Sequence, residues 1–230
     1  MRMVRFVAAA AFLVACHGTA QAIPIGIVDA GFEDPPTSTS SIGAVSGWTI
    51  SGSGAGVWNI GASPLGFWTV GATQGNQVAF VGREAPSGTP ASISQVLSAT
   101  LMANAAYSLT GEVGHPIGFG GTASPATTYT ISLLAGSATL SSITGTGPEG
   151  TFAPFTLTYD STGSAFFGKT LQIVLTSSKT QTAFDAIALD ATGPGVDAPE
   201  PASLALLCTG LLGLMGSRCG WSGPVRQAFG

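Results

Sequence analysis

Trp48, Trp58, Phe67 and Trp68 crowd one short stretch of the chain, with Asn59, Gln74, Gln77 and Arg83 close by. Aromatic faces stack on the apolar faces of sugar rings, while amides and an arginine satisfy the hydroxyls around them. Gly61 and Pro64 lie between Trp58 and Trp68, so a loop can present both rings. Trp58, Trp68, Arg83 and Gln77 are therefore the candidate contact set for a ligand. Trp48, in Ser46-Gly47-Trp48-Thr49, reads instead as core, because large aromatics dominate β-sandwich interiors. A protein interface would draw on the same aromatics.

Asp185 shares its strand parity with Ile187 and Leu189, which directs it toward the apolar side, where a carboxylate needs compensation. Glycoside hydrolysis would need a carboxylate pair such as Glu112 with Glu84, whose separation is invisible in sequence. Other catalytic schemes lack parts. His115 is the single histidine outside the N-terminal segment and reads as a solvated loop residue, and there is no Gly-x-Ser-x-Gly elbow for a serine nucleophile. A zinc centre needs more His or Cys than the chain offers there, and no phosphate loop or dinucleotide fingerprint occurs. The expectation is a non-catalytic protein.

Composition narrows the partners. From residue 23 to 198 the only bases are Arg83, Lys169 and Lys179, against ten acids, so no cationic patch exists for nucleic acid. Cys16, Cys208 and Cys219 all lie in the terminal segments, which leaves the middle without disulfide, thiolate metal site or cysteine nucleophile. Only 8% of the residues are charged and 33 are glycine, so polarity comes from hydroxyls and backbone, as suits an exported β-rich protein.

The elements that must position these groups are short strands. Period-two alternation marks Ile93-Gln95-Leu97, Tyr107-Leu109-Gly111-Val113, Tyr129-Ile131-Leu133, Phe155-Leu157-Tyr159 and Leu171-Ile173-Leu175, separated by Gly, Ser, Asn and Pro clusters. Two stacked sheets let each strand bury one face. The fold class is all-β, an antiparallel jelly-roll β-sandwich over residues 23–193, flanked by an N-terminal signal helix and a single C-terminal apolar helix.

Arg2 and Arg5 precede an apolar run, and Ala20-Gln21-Ala22 offers the small residues of a signal-peptidase site, giving a signal peptide over residues 1–22. Leu13-Val14-Ala15-Cys16 is the competing reading, in which Cys16 is lipidated. After a linker at 194–198, Pro199-Glu200-Pro201 leads into an uncharged run over about 202–217, followed by Arg218 and later Arg226. At about 1.5 Å per residue this run spans on the order of 23 Å, short of the roughly 30 Å hydrocarbon core, so it suits a temporary anchor. The two arginines favour a cytoplasmic tail. This segment, residues 199–230, resembles the PEP-CTERM sorting signal. The resemblance implies processing by an exosortase after transient inner-membrane anchoring, then a surface or extracellular location among exopolysaccharide and biofilm components. A departure is that Arg218 is followed by Cys219-Gly220-Trp221 where the family has adjacent arginines.

The order of Asp29-Ala30-Gly31-Phe32-Glu33, Ser46-Gly47-Trp48-Thr49, Gly75-Asn76-Gln77-Val78-Ala79, Ile93-Ser94-Gln95-Val96-Leu97, Tyr107-Ser108-Leu109 and Ala183-Phe184-Asp185-Ala186-Ile187 resembles galactose-binding-like, carbohydrate-binding-module-like jelly rolls. That resemblance implies a structural calcium with Glu33 and Asp185 among its ligands, and extracellular polysaccharide as partner. A structural matrix or coat protein acting through protein contacts is the alternative, and a glycan-active enzyme the weaker one.

Overall fold

The computed structural model describes residues 22–61, 66–83, 90–118, 127–178 and 181–193. The signal peptide, with Cys16, and the sorting segment, with Pro199, Glu200, Pro201 and Arg218, lie outside these residues, as does Glu84. The described chain holds strands and no helix: β1 (Ile23–Ile25), β2 (Ser40–Ile42), β3 (Thr49–Ser51), β4 (Gly56–Asn59), β5 (Gln77–Val81), β6 (Ala91–Thr100), β7 (Ala106–Gly114), β8 (Thr128–Ala135), β9 (Ala138–Thr146), β10 (Phe152–Asp160), β11 (Thr170–Ser177) and β12 (Thr182–Thr192).

They form two antiparallel sheets. The larger runs β10-β7-β12-β5-β4-β2, with β1 pairing the far end of β12, and the smaller runs β3-β6-β11-β8-β9. The alternating segments all become strands. Ile93, Ile131, Leu133, Leu171, Ile173 and Leu175 point from the smaller sheet into a shared interior and are fully buried, opposite Val57, Val81, Leu109, Phe184 and Leu189 of the larger. Each such side chain contributes about 1.5–3 kcal/mol through the water it sheds. Trp48 is buried as expected, its Nε1 donating to Val28 O at 3.1 Å and its ring 5.3 Å from Phe32.

The strands β4 and β5 depart from simple alternation, because every residue of β5 is buried. Val57, Ala79 and Val81 face the interior between the sheets. Trp58, Val78 and Phe80 face outward with Ala183 and Ile60, forming a second apolar cluster under the β4–β5 connection, where Phe67, Trp68 and Ala72 pack onto it. One end of the larger sheet is thus covered on both faces.

A bulge in β12 decides which groups share that outer face. Asp185 pairs with Glu112 and Ala188 with Thr110, so β12 spends one residue more than β7 over the same stretch, and Ala186 takes a φ of 51°. An extra residue reverses strand parity. Ile187, Leu189 and Ala191 point inward like Phe184, and Asp185 points outward with Ala183. The parity argument that grouped Asp185 with Ile187 is corrected by this bulge.

Candidate functional site

On the covered end of the larger sheet, Trp58 lies 6.0 Å from Trp68 and 5.6 Å from Phe67, both edge-to-face, and Trp68 stacks flat on Phe152 at 4.6 Å with 3° between the planes. The β4–β5 connection is held down by its backbone. Thr69 N donates to Gly150 O at 2.8 Å, and Ile117 N to Phe67 O at 2.9 Å. Trp68 Nε1 is buried with no acceptor among the described residues. An unpaired buried donor costs about 1–3 kcal/mol, so an acceptor brought by a bound molecule would be rewarded.

Two carboxyl groups accompany the aromatics. Asp185 is fully buried. Its Oδ2 accepts from Thr73 N at 2.7 Å and Gln74 N at 2.8 Å, and its Oδ1 from Ala186 N at 2.7 Å. Burial outweighs these three donors and pushes its pKa up to about 6, with Glu33 adding repulsion. Glu112 stands directly across β7 in register with Asp185. It is half-buried, and desolvation raises its pKa as well.

Glu33 grips the other side of the same connection, its Oε1 accepting from Asn76 N at 2.9 Å and Gln77 N at 2.8 Å. Gly75 sits between the two grips with φ of 64°, and a Cβ there would run into the Glu33 carboxylate. The acids expected to bind calcium are thus brought together on residues 73–77. No group of three or more acidic, histidine or cysteine side chains assembles among the described residues. The carboxyl oxygens that would face a calcium ion there, Glu33 Oε1 and Asp185 Oδ1 and Oδ2, each accept from backbone N–H groups.

The remaining candidates are differently employed. Gln77 is buried and spends its amide on the chain, Nε2 donating to Phe32 O and Pro35 O while Oε1 accepts from Thr37 N at 2.6 Å. Arg83 donates to Ser40 Oγ at 3.0 Å and lies 5.7 Å over the Phe80 ring, at the back of the cluster. Trp58, expected on a loop, lies in β4 and is 8% exposed. His115, expected in solvent, is buried, because its backbone is tied on both sides to Pro148 and Gly150. The sequence reading missed Phe152 and the pairing of Glu112 with Asp185. Only the register of β7 against β12 reveals the latter. An open cavity of about 400 Å³ lined by Gly43, Ala44, Val45, Ser46, Trp48 and Ile50 brings in no titratable side chain.

The comparisons overturn the expectation of a non-catalytic protein. Residues 23–190 match the HpiC1-like family, described as HpiC1 cyclase, and residues 197–218 match the PEP-CTERM protein-sorting motif. The second match marks an exported chain with a transient membrane anchor and exosortase processing. A Stig cyclase, FisC from Fischerella sp. TAU, in complex with (3Z)-3-(1-methyl-2-pyrrolidinylidene)-3H-indole, is 27% identical and aligns over 75% of this chain and 99% of its own with TM-score 0.67. An apo cyclase from Fischerella sp. is 29% identical, covering 74% of this chain and 96% of its own, also at 0.67. A carbohydrate-binding module, TmCBM61 with β-1,4-galactotriose, aligns over 72% of this chain and 97% of its own at 13% identity and TM-score 0.46. No curated protein matches the chain. The resemblance-based expectation of a jelly-roll sandwich holds. What misled was taking the scarcity of histidine and cysteine as a lack of catalytic means.

Proposed function

The chain belongs to the HpiC1-like cyclase family, and on that premise we propose that it catalyses an acid-promoted cyclisation of an aromatic, indole-class substrate on the outer face of the larger sheet. The observation that carries the reading is the register of Asp185 with Glu112 beside the Trp58, Phe67, Trp68 and Phe152 cluster. A carboxyl group whose pKa lies near 6 still holds protons at near-neutral pH and can give one to a bound alkene. The acid transfers its proton to an alkene carbon. The aromatic ring captures the resulting cation as the new C–C bond forms, and the ring carbon returns its proton to the carboxylate. The sum is an isomerisation, with no oxidant or co-substrate. The indole-containing ligand of the Fischerella relative supports the substrate class, because stacked tryptophan and phenylalanine rings suit a flat bicyclic arene.

The test is turnover of prenylated or alkenyl indoles by the purified mature chain. Asp185→Asn and Glu112→Gln are expected to lower kcat/KM by about 10²-fold or more, the usual scale for removing a general acid. Full activity in both variants would remove the assignment. A calcium ion at Glu33 and Asp185 is the rival use of the same carboxyl, since a carboxylate bound to a cation has no proton to give. Association with extracellular polysaccharide is proposed from the sorting motif, and failure of a glycan panel to retain the chain would argue against it.

A further inference from the structure

Register places both ends of the sandwich chain side by side. Ile23 pairs with Ala191, Thr192 with Ala106, and Ala106 with Asp160. The chain therefore enters at Ile23 and leaves at Gly193 where β10 runs into segment 161–169. That segment caps this end. Ser161 N donates to Ala105 O, Gly168 N to Leu101 O, and Leu101 N to Lys169 O. At its tip Phe166 and Phe167 are 40% and 63% exposed, the only adjacent pair among the exposed large apolar side chains of the described residues.

We propose that Phe166 and Phe167 dock into the interfacial layer of the lipid bilayer while the chain is anchored. Eight residues, 194–201, lie between Gly193 and Ala202, where the apolar run of the sorting segment begins, a leash of at most about 30 Å. The alternative tether, Cys16, would enter at the same end. A short leash raises the effective concentration of lipid at this end, so a weak contact suffices. A second copy of the chain is a poorer occupant, since the exposed parts of Phe166 and Phe167 from both copies together offer only about 300–500 Å², while a stable dimer needs roughly 1,000 Å² or more in total. Segment 160–169 itself carries one charge of each sign, Asp160 and Lys169, so its tip has no net charge to set against a lipid surface. Asp185 lies seven residues along β12 from Thr192, on the order of 20 Å away, which turns the acid–aromatic site from the membrane.

The experiment uses the full mature chain in phosphatidylcholine–phosphatidylglycerol vesicles containing brominated lipid. Phe167→Trp is expected to show about twofold or greater added quenching compared with Val96→Trp, an equally exposed apolar position on β6, as interfacial aromatics should. Equal quenching would overturn the proposal. On the unaltered chain, amides 164–168 should exchange more slowly in vesicles than in detergent, and unchanged rates would likewise overturn it. If Phe166→Ser with Phe167→Ser converts a dimer to a monomer in detergent by light scattering while leaving vesicle protection unchanged, the occupant is a second copy and the lipid contact is wrong.

Discussion

Glu33 and Asp185 hold opposite sides of one connection, Glu33 taking the amides of Asn76 and Gln77 and Asp185 those of Thr73 and Gln74. The two acids come from opposite ends of the sandwich sequence, so residues 73–77 are held on both sides only when β12 is paired within the larger sheet. Assembly of the site is therefore tied to completion of the fold.

Gly75 is the pivot between these grips. Gly75→Ala brings a Cβ into the Glu33 carboxylate and imposes a left-handed φ on alanine, whereas Gly163→Ala at φ of 71° meets open space. Urea unfolding should show Gly163→Ala costing about 1 kcal/mol and Gly75→Ala about 2–3 kcal/mol. Equal losses would mean that the Glu33 grip contributes nothing.

Stability should fall as pH rises from 4 to 6. Asp185 has an unfolded value near 3.8 and a folded one of about 6, so in that window the native state binds more protons than the unfolded chain. Its contribution is fully present below 3.8 and lost above 6, a swing of about 3 kcal/mol. Thermal melts across this range should show a shallower slope for Asp185→Asn. The same titration predicts that kcat/KM declines about tenfold per pH unit once the acid form is depleted above pH 6.

Trp68→Phe removes the unpaired Nε1–H while keeping an aromatic ring over Phe152. The free protein should lose little stability or gain about 1 kcal/mol, the usual return for deleting an unsatisfied donor. Binding of an acceptor-bearing aromatic should weaken, as read by calorimetry on both variants. Undiminished binding would show that the donor is not aimed at the ligand.

Calcium should leave the melting temperature of the unaltered chain unchanged where Asp185 keeps its proton, whereas a rise that Glu33→Gln abolishes would assign the two carboxyls to an ion instead. An identical response in Glu33→Gln would place any bound ion elsewhere.

How much of this was legible follows from the range of each signal. Strand alternation is local and governed by which face meets water, so Ile131, Leu133, Ile173 and Leu175 declared their burial in sequence. Trp58 and Trp68 were recognisable as neighbours because few residues separate them. The loop setting foreseen for Trp58 failed because both faces of β4 are covered, and the cover is built by residues further along the chain.

The sequence by itself determined an exported, all-β chain with a sorting signal at its end, since export and sorting are read by short linear motifs and a sheet by its period of two. Only the tertiary structure decided where Asp185 points. One extra residue at Ala186 turns that carboxyl from the interior to the outer face, where the register of β7 sets Glu112 beside it and the β4–β5 connection removes water above it. A bulge leaves no mark in hydrophobic alternation, and desolvation is a property of what surrounds a group, so neither the position nor the acidity of this residue could be read along the chain.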